Sequence, residues 1–206
     1  EACWAVQADA PIVLAELTNV VASEQSDAEN GFSSLSLAEM CDEIETTHHQ
    51  YLKRELPRLT QLVDKVVSVH GTQHSWLSQL RQSFRQLREE LEPHMFKEER
   101  VLFPAIRTIE RARVVPSFPF GSVDNPIRMM EHEHEAAGQA LKEIREASSN
   151  FTLPNGGCNT FRVMLDGLRQ LEADLHLHIH KENNILFPRT SRMAAELDSR
   201  PAEGGG

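Results

Sequence analysis

Two short stretches of the chain place a histidine and a glutamate four residues apart, His94-Met-Phe-Lys-Glu98 and His178-Ile-His-Lys-Glu182. Each is followed by Leu-Phe-Pro, at Leu102 to Pro104 and at Leu186 to Pro188. The offset between them is 84 residues, and the histidines upstream keep it within one, since His49 precedes His94 by 45 positions and His134 precedes His178 by 44. Two related halves therefore each supply one histidine and then a His-x3-Glu. Imidazole nitrogen and carboxylate oxygen together are the donor set of mixed-ligand transition-metal sites, so the chemistry to test first is metal binding.

The elements that must position these residues are long helices. From Leu35 onward apolar residues recur at three- and four-residue steps, with almost no strand-like alternation. Four helices are expected at about residues 36 to 69, 75 to 112, 124 to 148 and 158 to 195, with turn residues between them at Gly71, Pro116 to Gly121 and Pro154 to Gly157. In the second, Leu77, Leu80, Phe84, Leu87, Leu91, His94, Glu98 and Val101 form one bundle-facing seam. The fourth repeats it with Met164, Leu168, Leu171, Leu175, His178, Glu182 and Ile185. The third presents Ile127, Met130, His134, Ala137, Leu141 and Ile144, and the first His49, Leu52, Leu56, Leu59, Val63 and Val66. Upstream of His49 that phase fails, because Leu37, Cys41 and Ile44 lie on a shifted face. The expected fold is an all-α, antiparallel up-down four-helix bundle over residues 35 to 196. A short N-terminal helical stub and linker precede it at 1 to 34, and a flexible tail follows at 197 to 206.

Burying carboxylates and histidines among leucines costs several kcal/mol per ionised group without a strong partner. The seams offer no inward Lys or Arg, so a metal cation is the economical partner. Residues at i and i+4 on a helix lie about 6 Å apart on one face, which suits adjacent metal positions. Four imidazoles and two carboxylates exceed the needs of one ion with an open site. If Glu98 and Glu182 both bridge, each of two ions receives two nitrogens and two oxygens, an oxo or hydroxo bridge adds a fifth ligand, and one position on each stays free for a small diatomic. Such a set favours iron, with manganese and zinc as alternatives. For a single histidine, a core imidazole bonded to a carboxylate is the commoner explanation. Six in-phase groups across four helices outweigh it.

The other histidines do not share the phase. His48 and His132 neighbour proposed ligands but point elsewhere, His176 and His180 pair on the polar face, and His70 and His74 flank a loop in solvent. Glu90 lies one turn before His94 and Glu133 abuts His134, which makes both candidates for supporting the ligands or lining an access channel. Cys3, Cys41 and Cys158 are too few and scattered for a disulfide framework and read as reduced and structural. A formal charge of -10 with no dense basic cluster argues against nucleic acid. No run of about 20 apolar residues occurs, so the chain reads as a soluble, cytoplasmic protein with no membrane partner.

From Leu35 to Pro188 these motifs resemble the hemerythrin-like domain of the repair-of-iron-centres di-iron proteins. The residues that carry the resemblance are Leu37-Ala38-Glu39, His49 with Glu55-Leu56-Pro57, and His94-x3-Glu98-x3-Leu102-Phe103-Pro104. To these add Glu131-x-Glu133-His134-x3-Gly138 and His178-x3-Glu182-Asn-Asn-x-Leu186-Phe187-Pro188. Oxygen-carrying hemerythrins have HxxxH where Glu182 stands here, which argues against simple oxygen transport. The resemblance implies two non-haem irons, restoration of iron-sulfur clusters damaged by nitric oxide or oxidants, and damaged iron-sulfur proteins as partners. It also implies NO or O2 as ligand, a nitric oxide reductase-like activity or donation of iron, with a gas sensor without catalysis as the alternative. The family carries a small N-terminal domain with an adjacent Cys-Cys pair. This sequence has no such pair, and Glu1-Ala2-Cys3 looks like the trailing part of that domain.

Overall fold

A computed structural model of the chain describes residues 31 to 199. The expected helical stub, Cys3 and the last residues of the tail lie outside the described residues. From Leu37 onward all regular structure among the described residues is helical. Four rods form the bundle. The first is α1 (Leu37–Ile44), a π-helical turn (Glu45–His49) and α2 (Gln50–His70). The second is α3 (Trp76–Lys97), a π-helical turn (Glu98–Leu102) and α4 (Phe103–Arg111). The third is α5 (Asp124–Ala147) alone. The fourth is α6 (Asn159–Lys181), a π-helical turn (Glu182–Leu186) and α7 (Phe187–Asp198).

Short connections after α2 and after α5 make successive rods antiparallel neighbours. α3 packs chiefly on α5, α2 on α6 and on α3, while α4 meets α1 and α7 at the other end. One apolar core runs from Leu52 to Val66 of α2, Leu77 to Met95 of α3, Ala137 to Ile144 of α5 and Phe161 to Leu175 of α6. Leu37, Met40, Ile44, Leu102, Phe103, Ile106, Ile109, Leu186 and Phe187 are buried beyond it, towards the other end of the rods. On every rod the metal-type residues fall at the break between these two stretches, so the polar cluster has apolar packing on both sides along the bundle.

The π turns correct three details of the expected seams. In each, the residue after the turn donates its N–H to a carbonyl five residues back: Gln50 to Glu45, Phe103 to Glu98 and Phe187 to Glu182. One extra residue per turn rotates the following helix by about 100°. Val101 is therefore 43 % exposed and Leu102 buried in its place. Ile185 is half-buried while Leu186 is buried. On the first rod the slip brings Leu37, Cys41, Ile44 and His48 onto the inner face above it and His49, Leu52 and Leu56 below it, all of them buried. α5 has no π turn, and its seam from Ile127 to Ile144 is buried throughout. Pro104 and Pro188 stand in the first turn after a π segment, where the ladder returns to its usual spacing and a missing N–H costs least.

The two described cysteines have opposite characters. Cys41 is a free, buried thiol pushed well up by burial. Cys158 is free, exposed and the N-cap residue of α6, not a core residue. The Phe161 backbone N–H and the His70 ring, with Nε2 3.3 Å from Sγ, bring its thiol down to about 7. His70 and His74 are half-buried against Phe161, with ring centroids 5.3 and 5.8 Å from it, and not free in solvent as expected. Cys158 therefore carries more thiolate at neutral pH than an ordinary thiol of pKa about 8.5. Peptide mapping after a short iodoacetamide pulse at pH 7 is expected to show Cys158 alkylated at least about tenfold faster than Cys41. Equal labelling would contradict this.

Candidate metal centre

His49 closes the first π turn, and Glu98 and Glu182 open the other two, each four residues after the histidine on its rod. With His134 from α5 these side chains meet inside the bundle. His49, Glu98, His178 and Glu182 place one ligand atom each within 4.8 Å of one another, and so do His94, Glu98, His134 and Glu182. The two groups share both carboxylates and divide the four histidines in pairs. Each pair draws one histidine from each half of the repeat. None of these six side chains is more than 4 % exposed.

The electrostatics of this cluster fit a cation. All four carboxylate oxygens of Glu98 and Glu182 are buried without a hydrogen-bond partner, as are Nε2 of His49 and both nitrogens of His178. Histidine Nε2 atoms lie 3.3 Å from Glu98, for His49 and His94, and 3.2 Å from Glu182, for His134 and His178. The Nε2 atoms of His94 and His134 face each other at 3.1 Å. These atoms attract by charge but point at shared space more than at each other. Glu172 offers the contrast: it too is buried, yet Arg145 grips both of its oxygens. A carboxylate buried for structure takes a guanidinium, whereas Glu98 and Glu182 have only imidazoles. The residues present therefore fit metal binding, with imidazole nitrogens and carboxylate oxygens in two groups that share both glutamates.

The inward lysine that the sequence did not suggest is Lys181, 7 % exposed. It donates to Glu43 Oε1 at 2.8 Å and to His48 Nε2 at 3.1 Å. His48 itself is a correction. It is buried, and its ring stacks flat on His178 with centroids 5.2 Å apart and planes 1° from parallel. His132 is 83 % exposed, as expected. His176 is exposed and His180 bonds Asn184 at 2.9 Å.

Behind these six side chains stands a ring of supporting groups. His94 Nδ1 donates to Glu133 at 2.9 Å, and Lys97 pairs with the same carboxylate. The bond from His94, with help from Lys97 and against some burial, holds the Glu133 carboxyl down at about 2. His49 Nδ1 meets Glu99 at 2.8 Å, and His134 Nδ1 meets Asn183 Oδ1 at 2.8 Å. An Nδ1–H so engaged fixes the tautomer that leaves Nε2 free for a metal. Glu99 and Asn183 were not singled out in the sequence, although they follow Glu98 and Glu182 at the same repeat offset. Glu90 accepts from Gln86 at 3.0 Å on its own helix, and its other oxygen is buried without a partner. The aromatic rings of the Leu-Phe-Pro motifs complete the cage. Phe103 stacks on His49 at 5.7 Å and Phe187 on His134 at 6.1 Å.

Protons and a metal compete for these nitrogens. Burial disfavours the charged ring of His134, but Glu182, 3.2 Å away, and the charge of Glu98 overcome it and raise the imidazole to about 9. His49 is raised against its own burial by Glu98 in the same way. Burial pushes His178 down despite Glu182. Burial alone would raise Glu182, but its histidine neighbours keep it ionised, well below the usual carboxylate range.

Comparison with known proteins points to cation binding as well. Residues 42 to 190 match the family model described as Hemerythrin HHE cation binding domain. The chain is 41 % identical over 153 residues to the iron-sulfur cluster repair protein YtfE of Edwardsiella ictaluri, covering 74 % of this chain and 65 % of that protein. It is 37 % identical over 169 residues to the "Probable iron-sulfur cluster repair protein" of Haemophilus influenzae, covering 81 % and 72 %. A YtfE protein of Yersinia pseudotuberculosis is 39 % identical over 145 residues, covering 70 % and 62 %. The chain thus spans just under two thirds of the Edwardsiella and Yersinia relatives. Among the described residues no helix is long and apolar enough to cross a membrane. With a buried His and Glu cluster able to hold metal, the chain belongs to the hemerythrin HHE cation-binding domain family, and the relatives it matches are named for iron-sulfur cluster repair.

Proposed function

We propose that His49, His94, Glu98, His134, His178 and Glu182 hold two irons. In this reading the chain works in the cytoplasm on iron-sulfur clusters damaged by nitric oxide or oxidants, by binding and reducing NO or O2, by donating iron, or by both. The observation that carries this reading is the sharing of two carboxylates between two ligand groups. Names of relatives support the repair role, and free thiols at Cys41 and Cys158 suit a reducing compartment. A pair of irons, when bound, supplies two electrons at adjacent positions and open coordination sites for a diatomic ligand.

The protein's part is to prepare that place. Glu98 and Glu182 offset the charge of the ions, while Glu99, Glu133 and Asn183 hold three imidazoles with Nε2 facing inward. Phe103, Phe187 and the leucines on either side exclude bulk water, and a diatomic needs little room to enter. Damaged iron-sulfur proteins are the expected targets.

Anaerobic, iron-loaded protein supplied with an excess of chemical reductant is expected to consume NO at an electrode over many turnovers, two NO, two electrons and two protons giving N2O and water each time. A stable nitrosyl complex without turnover would overturn the reductase reading and leave a binding or sensing module. Transfer of iron to a cluster-free acceptor protein without any loss of NO would assign the role to iron donation.

A further inference from the structure

The two halves of the centre superpose residue by residue in their chemistry until one position breaks the match. Glu98 and Glu182, Glu99 and Asn183, Lys97 and Lys181, and Phe103 and Phe187 are all 84 residues apart. Glu99 and Asn183 do the same task, each bonding the Nδ1 of the single histidine of its half. Glu133, the residue before His134, joins His94 to Lys97. Its counterpart is the residue before His49, which is His48, and His48 lies between His178 and Lys181.

His48 cannot do what Glu133 does. A lysine ammonium only donates, so His48 Nε2 accepts from Lys181 and its Nδ1–H goes to Asp174 at 2.9 Å. Both ring nitrogens are taken, and the ring lies parallel to His178, not edge-on to it. His178 Nδ1 is left buried with no hydrogen-bond partner, alone among the four ligand histidines. A histidine bound through Nε2 carries its proton on Nδ1, and an acceptor there makes it a better ligand. Such outer partners are worth about 10- to 100-fold in metal affinity.

We propose that the two metal positions are unequal by construction: the one held by His49 and His178 is the weaker, and His48, standing where the other half has Glu133, is the positioning residue that makes it so. This rests on the two-metal reading above. His48 holds the His178 ring by stacking, so the position is formed, but the stack supplies no acceptor.

The test is Zn2+ titration of the metal-free full chain against a chromophoric chelator, which reads affinity without any turnover. Wild type is expected to take two ions in steps separated about 10- to 100-fold. Glu133→Ala should weaken only the tight step, so the two steps merge. His48→Gln, which puts an amide oxygen beside His178 Nδ1 as Asn183 does for His134, should tighten only the loose step by several-fold. Two equal steps in wild type, equal weakening of both steps in Glu133→Ala, or a folded His48→Gln protein with an unmoved loose step would each overturn the proposal. If His48→Gln does not fold, wild type and Glu133→Ala decide alone. Uptake of fewer than two ions by wild type would instead refute the two-metal reading itself.

Discussion

Stripping the metal from the native protein is expected to lower its melting temperature by about 10 °C at neutral pH. A ligand bound only by the folded state, present at about a thousand times its dissociation constant, stabilises by about 4 kcal/mol. For a chain of this size each kcal/mol moves the midpoint by about 2 to 4 °C. The loss has a pH signature. In the metal-free protein His134 is raised from the ordinary 6.5 to about 9 by the neighbouring Glu182 carboxylate. A raised imidazole contributes stability that is complete below 6.5 and lost as pH rises through 9, on the order of 3 kcal/mol at most for this group. His49 is shifted in the same direction. His178 is pushed down by burial and so titrates below 6.5, outside that window. The metal-loaded protein behaves oppositely, because protons leave the imidazoles to the ion as pH rises. Thermal melts at pH 6.5, 7.5 and 8.5 should show the gap between loaded and stripped protein widening with pH. A gap that shrinks would contradict the assignment of these histidines as ligands.

Replacing one shared carboxylate is expected to empty both metal positions, whereas replacing one histidine empties one. Glu98 belongs to both ligand groups, and His94 to only one. Glu98→Ala removes a donor and a charge from each ion at once and should bring metal content from about two per chain to nearly none after gel filtration. His94→Ala should leave about one, held by His49, His178 and the two glutamates. Glu182→Ala should match Glu98→Ala, and His49→Ala should match His94→Ala. Metal analysis by atomic emission reads all four. One ion retained in Glu98→Ala would show that the carboxylates are not shared.

Periodicity made the rods and most of the seams legible because the spacing of buried residues on a regular helix is fixed, and α5, which is regular throughout, followed it from Ile127 to Ile144. The errors sit where regularity ends. A π turn inserts one residue without leaving any mark in composition, so Val101 and Ile185 were placed inward where Leu102 and Leu186 are. The same slip hid His48, since two consecutive residues do not both face inward on an α-helix, but do where a π turn closes. The failed phase upstream of His49 was the available clue. The Leu-Phe-Pro motif was visible as a repeat. Its reasons are spatial: a ring that stacks on a histidine of the cluster and a proline where the hydrogen-bond ladder changes step. Lys181 leaves no mark in the seams because its partners, Glu43 and His48, come from a different rod.

The most direct test of the shared centre is a crystal structure of the iron-loaded protein with anomalous diffraction collected at the iron edge. The account predicts two anomalous peaks about 3.5 to 4 Å apart, one beside His49 and His178 and the other beside His94 and His134, with Glu98 and Glu182 reaching both. A single peak, or peaks not flanked by both carboxylates, would contradict it.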